Sequence, residues 1–196
     1  LAMDKKLREE INQKGFARSQ IKILDALLKL RQVCCDPRVL KLESAQGIKA
    51  SAKLEMLMEM LIEMLDEGRK VLLFSQFTSM LELIEQELVK HTIKFSKLTG
   101  QTRDRETAIN AFQEGDAQVF LISLKEQQAT DRAYRIGQDK PVFVYKLLTE
   151  ETVEEKILKL QERKQLLADG LYTGTNQADS NFNQDDLLDL LKPLGL

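Results

Sequence analysis

The sequence predicts an α/β fold in which a mostly parallel sheet is flanked by helices. Three short apolar runs, at residues 71–74, 93–98 and 119–124, have the length and composition of strands. Apolar residues at helical spacing fill the two intervals between them, at 80–89 and 102–115. Two successive strand–helix–strand units with almost continuously apolar strands indicate a parallel sheet that is covered on both faces.

Composition places the chain among ordinary folded proteins. Of its 196 residues, 43% are hydrophobic and 31% are charged, which excludes the disordered and fibrous classes. Acidic residues outnumber basic ones by 31 to 29, so no global positive field marks a nucleic-acid binder. Any contact with nucleic acid must therefore come from a local patch.

Cysteine and histidine content restricts both compartment and chemistry. The only cysteines, Cys34 and Cys35, are adjacent and unsuited to a mutual disulfide, which favours a reducing, intracellular compartment. They are expected to pack in the core. The single histidine, His91, is expected at a helix end on the surface. With one histidine and no cluster of cysteine or histidine residues, the sequence indicates neither a zinc site nor a His-based triad. No apolar run reaches the length of a membrane span, and no signal peptide is apparent.

The first half of the chain opens with helices. Apolar residues follow helical spacing from Ile21 onwards, and Pro37 ends that helix. Ser51 is placed to cap a second helix, whose leucine stripe stops at Gly68. Four methionines widen the stripe, and core filling explains them better than a binding groove: Met56, Met58, Met60 and Met64.

Caps and turns define the second half. Thr102 is expected to cap the helix before the third strand, and residues 141–148, rich in Val, Phe and Tyr, are expected to form a further strand. Thr152 and Glu155 form a capping-box pair that opens a long charged helix ending at Gly170. The predicted domains are a helical segment at 1–50, the α/β domain at 51–150, a helix packing on it at 151–172, and a polar linker with a short helix at 173–196.

One polar stretch, EQQATDRAYRIGQ at 126–138, concentrates groups suited to an anionic ligand. On a helix, Gln128, Asp131, Arg132 and Arg135 share one face at offsets of three and four. Two arginines a turn apart provide planar donors for phosphate oxygens, and Asp131 is placed to orient one guanidinium. From spacing alone, a solvated, salt-bridged helix face is favoured over a ligand site.

The same stretch resembles motif VI of the Swi/Snf-type, helicase-like ATPases of superfamily 2. The family form QAxDRAxRIGQ is matched from Gln128 to Gln138. The segments LLKLRQVCCDP, SAKLEML, KVLLFSQF, LTGQT and VFLISLK resemble other blocks of that family in the same order. The resemblance covers residues 21–170 and implies a RecA-like second lobe.

The chain departs from that family in two ways. It contains no GxxxxGK[ST] loop and no DEAH-like acidic box, the parts that cradle phosphates and hold magnesium. In addition, Lys125 is followed directly by Glu126, where the family places a glycine-rich motif V, a strand and a tryptophan-containing loop. About 25 residues of the pattern are absent, through deletion or through omission of a mobile segment.

Residues at strand ends are the candidates for contacts with a phosphate backbone. Ser75 and Gln76 follow one strand, and Thr102 with Arg105 follows the next. Helix capping or turn formation explains these residues equally well. Lys125, the last residue of the VFLISLK segment that resembles a block of that family, completes the set of candidate DNA contacts.

The resemblance implies the C-terminal motor lobe of a DNA-dependent ATPase that translocates on double-stranded DNA and remodels protein–DNA complexes. ATP and Mg would be bound mainly by an N-terminal RecA-like lobe, with Arg132 and Arg135 supplied by this chain and Gln128 and Asp131 beside the nucleotide. The chain alone is expected to be monomeric, inactive as an ATPase, and cytoplasmic or nuclear according to the organism. A non-catalytic binding module and a strand-separating helicase are the alternatives.

Overall fold

The computed structural model describes residues 16–40, 42, 45, 47–49, 51–123, 143–171, 186 and 189–190. Its helices are α1 (Phe16–Cys35), α2 (Ala52–Asp66), α3 (Thr78–Lys90), α4 (Arg105–Gln113) and α5 (Val153–Leu171), with a 3₁₀ turn at Pro37–Leu40. Its strands are β1 (Val71–Ser75), β2 (Phe95–Leu98) and β3 (Val119–Ser123). Within these ranges, no helix is long and apolar enough to cross a membrane.

The three strands form one parallel sheet in the order β1-β3-β2, which confirms the predicted α/β fold. The central strand is β3, and its residues 119–122 are all buried. A strand that has a neighbour on each side and helices on both faces is expected to be almost continuously apolar, and β3 is apolar from Val119 to Ile122.

The sheet is covered by α4 on the face that carries Phe120 and Ile122. Phe112 of α4 stacks on Phe120 with ring centroids 5.3 Å apart, and both rings are buried. Because side chains alternate along a strand, Val119 and Leu121 belong to the other face, and both are fully buried. Helices α2 and α3 contact the sheet and supply further core residues: Leu54, Met58, Leu61, Met80, Leu81, Ile84 and Leu88.

The ends of α2 are those that the sequence predicts. The Ser51 side chain accepts a hydrogen bond from the backbone N–H of Leu54 at 3.3 Å. At the other end Gly68 has a positive φ of 75°, and the N–H groups of Gly68 and Arg69 donate to the carbonyls of Leu65 and Met64. These two bonds define a Schellman motif, in which glycine adopts the left-handed conformation without strain.

The methionines of α2 divide between core and surface. Met58 is buried with Leu54 and Leu61, whereas Met56 is 54% exposed. Core filling is therefore confirmed for Met58. His91 is exposed and caps the C-terminus of α3, also as predicted.

The chain divides into two compact units, 41–147 with the sheet, and 1–40 with 148–196. In the second unit α1 packs against α5, and the apolar core joins Ile23, Ala26, Leu27, Val153, Leu160 and Leu190. Cys34 packs against this core, as expected, and the half-buried Cys35 thiol donates to the Glu154 carboxylate at 3.7 Å. The domain boundaries at 50, 150 and 172 stay predictions.

The start of α5 is a modified capping box. The Thr152 hydroxyl accepts from the N–H of Glu154 at 3.2 Å, while the Glu155 carboxylate accepts from the N–H of Glu151 at 3.0 Å. The hydrogen bonds from Lys159 and Glu151 lower the pKa of Glu155 below its usual range. The helix continues through Gly170 to Leu171, so the predicted stop at Gly170 is wrong by one residue.

The strand predicted at 141–148 is also wrong for the residues described. Residues 143–149 have no regular secondary structure, and Phe143, Val144 and Tyr145 are exposed. Their composition favours a strand, but a strand requires a hydrogen-bonding neighbour. Neither β1 nor β2 pairs with this segment, so its intrinsic preference is not realised.

Candidate functional site

The carboxyl ends of the three strands meet at one edge of the sheet, called here the carboxyl edge. In the parallel register Ser75 of β1 pairs with Ser123 of β3, and Leu98 of β2 pairs with Ile122. Thr99, the residue after β2, therefore lies alongside Ser123. The loops that carry four of the predicted DNA contacts leave the sheet from this edge, where parallel sheets bind ligands.

The hydroxyl of Ser75 is committed to the turn between β1 and α3. It accepts from the backbone N–H of Phe77 and donates to the Phe77 carbonyl, each at 3.2 Å. Phe77, at the N-cap position of α3, provides no side-chain cap of its own. Ser75 thus organises the turn, and its neighbour Gln76 is the exposed polar group of the pair.

Thr102 also organises a turn and does not cap α4, which corrects the prediction. Its hydroxyl accepts from the N–H of Thr99 at 2.9 Å and donates to the carbonyl of Lys97 at 3.4 Å. The N-cap is Asp104, whose carboxylate accepts from the N–H of Thr107 at 3.0 Å and from its hydroxyl at 2.6 Å. These Thr107 bonds lower the pKa of Asp104, so the cap is charged at neutral pH.

Arg105 is exposed in the first turn of α4, and Arg103 is exposed just before the cap. Within the part of the chain that the structure describes, neither arginine has an ion-pair partner. Lys97, by contrast, is committed to Glu85 at 2.5 Å. The carboxyl edge therefore presents two available guanidinium groups, and Arg103 was missed at the sequence level although the RDR triplet at 103–105 signals it.

The remaining candidate residues lie outside the described part of the chain. These are Lys125 and the four residues of the motif VI resemblance: Gln128, Asp131, Arg132 and Arg135. Among the described residues, no group of three or more His, Cys, Asp or Glu side chains could hold a metal ion. The exposed guanidinium groups of Arg103 and Arg105 are suited to binding anions.

The sheet and the helix that precedes it match a known family. A family model described as the helicase conserved C-terminal domain matches residues 52–126. Protein CHROMATIN REMODELING 24 of Arabidopsis thaliana is 36% identical over 171 residues, covering 71% of this chain and 15% of the relative. The SWI/SNF-related matrix-associated actin-dependent regulator of chromatin subfamily A member 1 of Mus musculus is 30% identical over 184 residues, covering 74% and 17%. The chain thus spans about a sixth of these curated relatives.

Two solved structures are similar over nearly the whole chain. The Sulfolobus solfataricus SWI2/SNF2 ATPase core domain has a TM-score of 0.75 at 27% identity, covering 98% of this chain and 45% of the other. The C-terminal domain of a Sulfolobus solfataricus SWI2/SNF2 ATPase has a TM-score of 0.71 at 26% identity, covering 96% and 89%. This chain therefore corresponds to the C-terminal part of such a core.

The matched relatives are longer than this chain within the aligned region. For the Arabidopsis relative, 71% of 196 residues is about 139, so about 32 of the 171 aligned positions have no counterpart here. For the mouse relative, 74% is about 145, which leaves about 39 of 184. The family match ends at residue 126, immediately after the junction where the sequence pattern is interrupted.

Proposed function

Because this chain is a C-terminal lobe of the Snf2-type helicase-like ATPases, we propose that it acts as the second motor lobe of a translocase on double-stranded DNA. In that role the whole protein would use ATP to move along a duplex and remodel protein–DNA complexes. The observation that carries the proposal is the carboxyl edge, where Gln76 and Arg103 are exposed on loops anchored by hydrogen bonds and Arg105 is exposed in the first turn of α4.

The chemistry of this edge fits the DNA backbone. Guanidinium groups bind phosphate oxygens in planar, charge-assisted contacts, and such contacts position a protein on DNA without reading its sequence. The Thr99–Thr102 turn and the Asp104 cap fix the backbone on both sides of Arg103. Little conformational entropy is therefore lost when the loop meets a duplex, which favours binding.

ATP chemistry is assigned to residues beyond the described edge. Arg132 and Arg135 would place guanidinium groups against the nucleotide phosphates when the two lobes close, with Gln128 and Asp131 beside them. An arginine finger accelerates phosphoryl transfer by about 10³ to 10⁵. ATP and Mg would be held mainly by the other lobe, since the described residues provide no set of carboxylate ligands.

The DNA proposal is tested by measuring binding to unrelated duplexes over a range of salt concentrations. The variant Arg103→Ala/Arg105→Ala should weaken binding equally for all sequences and reduce the slope of log K against log[salt] by about 0.9 for each phosphate that is no longer neutralised. Arg69→Ala is the matched control, because Arg69 is an exposed arginine just before β1, at the opposite end of the strand, and is paired with Glu67 at 2.7 Å. Equal slopes for the double variant and the control would contradict the proposed DNA contact.

The strand-separating alternative is distinguished with the full-length protein. A duplex translocase should displace a triplex-forming strand without separating the duplex. Efficient unwinding of a forked duplex would favour the helicase instead.

A further inference from the structure

Helix α1 has apolar residues on two faces, and in the described part of the chain one of these faces is buried and the other is exposed. Ile23, Ala26 and Leu27 are 0%, 3% and 6% exposed, and they belong to the core shared with α5. This face accounts for the packing of α1 within its own compact unit.

The second apolar face lies on the other side of the helix. Ile21, Leu24 and Leu28 are 81%, 47% and 45% exposed. Their steps of three and four residues place them in one row, called here the α1 stripe. Ile21 and Ile23 are two positions apart, about 200° around the helix, so the stripe points away from the α5 contact.

A charged border follows the α1 stripe. Asp25 and Lys29 continue from Ile21 at steps of four residues, and they form an ion pair at 2.7 Å. Apolar side chains bordered by charged ones are typical of a protein–protein interface. A row of adjacent exposed apolar residues on a single helix marks such a surface more strongly than scattered ones do.

We propose that the α1 stripe is a docking surface for the part of the ATPase core that precedes this chain. The similarity extends over 98% of this chain but only 45% of the SWI2/SNF2 core domain, and over 89% of the C-terminal domain. The rest of that core therefore lies on the N-terminal side. Because α1 is the first helix described, it is the described element nearest in sequence to this missing half.

The proposal rests on the two-lobe architecture of the proposed function but on none of its chemistry. Docking through the α1 stripe requires neither DNA nor ATP, and it does not involve Arg103, Arg105, Arg132 or Arg135. It assigns to α1 the task of holding the second unit of this chain against its partner lobe.

Hydroxyl-radical footprinting tests the proposal directly, because it reports the exposure of individual side chains. We expect oxidation of Ile21, Leu24 and Leu28 to be at least about fivefold slower in the full-length protein than in the 196-residue chain, as befits side chains buried at an interface. Val89, an apolar residue 63% exposed on α3, is the internal reference. Oxidation rates that are equal in the two proteins would overturn the proposal.

Variants and a measurement of mass in solution distinguish the proposed occupant of the α1 stripe from a second copy of this chain. In the full-length protein Leu24→Glu should restore rapid oxidation of Ile21, whereas the matched Val89→Glu should not. Protection of the stripe in the 196-residue chain, accompanied by a doubled mass in solution, would identify a second copy as the occupant and refute the proposal. Protection that persists in a full-length Arg103→Ala/Arg105→Ala variant would support the docking surface whatever the outcome for DNA binding.

Discussion

The amine of Lys70 links the beginning of β1 to the end of α4, and its removal is predicted to loosen that helix. Lys70 Nζ donates to the carbonyl of Phe112 at 2.5 Å and to that of Gly115 at 3.1 Å. It also lies 5.5 Å from the centroid of the Phe112 ring. The last carbonyls of a helix have no partner within the helix, so a lysine at this end satisfies them and complements the helix dipole.

The perturbation is Lys70→Met, which keeps the apolar stem of the side chain and removes the ammonium group. A hydrogen bond from a charged donor contributes about 1.5 to 3 kcal/mol when it is shielded. A cation–π contact adds about 0.5 to 1 kcal/mol at an exposed site. Because the bond to Gly115 is exposed and that to Phe112 is only partly buried, we expect the free energy of unfolding to fall by about 1 to 2 kcal/mol.

Urea and thermal unfolding monitored by circular dichroism measure this destabilisation. For a chain of this size, it corresponds to a Tm lower by about 2 to 8 °C. Lys94→Met is the matched control, because Lys94 lies just before β2 and its amine pairs with the exposed Asp116 alone among the described residues. If Lys70→Met were no more destabilising than Lys94→Met, the argument that Lys70 anchors α4 would be refuted.

Three further perturbations follow from the same structure. Ser96→Ala should raise the free energy of unfolding by about 1 kcal/mol, because the Ser96 hydroxyl is buried without a partner in the described part of the chain. Ser75→Ala, the control, should lower the free energy of unfolding by removing two hydrogen bonds. A destabilised Ser96→Ala variant would contradict the prediction and show that the hydroxyl has a partner. Thr92 has a φ of 58° at the end of α3, a left-handed conformation that is strained for a residue other than glycine. Thr92→Gly should therefore raise the free energy of unfolding, measured by chemical denaturation, by about 0.5 to 1 kcal/mol. Gly68→Ala, at a φ of 75°, should lower the free energy of unfolding instead. In the full-length enzyme with saturating DNA, Arg135→Lys should lower ATP turnover about 10³-fold or more while ATP affinity changes only a few-fold, because lysine lacks the planar two-pronged contact. A folded Arg135→Lys variant with near-normal turnover would refute the role of Arg135 as an arginine finger.

The sequence alone predicted the parallel α/β fold and most of its elements. Strand length, β-branched composition and helical spacing located β1, β2, β3 and the helices between them, because these patterns reflect local backbone preference and burial. Ser51 and Gly68 were predictable for the same reason, since capping requires a short polar side chain at one end and a left-handed residue at the other. The family resemblance rested on the order of short motifs and was confirmed by the comparisons.

The sequence predicted where the candidate site lies but not which of its side chains are available to bind a ligand. Parallel strands place Gln76 and Arg105 at the same edge of the sheet, and that shared edge followed from topology. The hydroxyls of Ser75 and Thr102, however, form hydrogen bonds with backbone groups of their own turns. The sequence also could not show whether Thr102 or Asp104 would cap α4. Both residue types cap helices, and the choice depends on where the loop backbone directs its N–H groups.

Only the tertiary structure decided the features that depend on residues far apart in the chain. Lys70 reaches carbonyls more than 40 residues away, and the segment at 143–148 forms no strand despite its strand-like composition. The exposure of Ile21, Leu24 and Leu28 could not be inferred either, because helical spacing gives α1 two apolar faces without saying which of them has a neighbour. The sequence by itself determined the elements and their family, since local preference and periodicity are properties of short segments. Partners and exposure were decided by the packed chain, since burial and hydrogen bonding belong to the arrangement of segments rather than to any one of them.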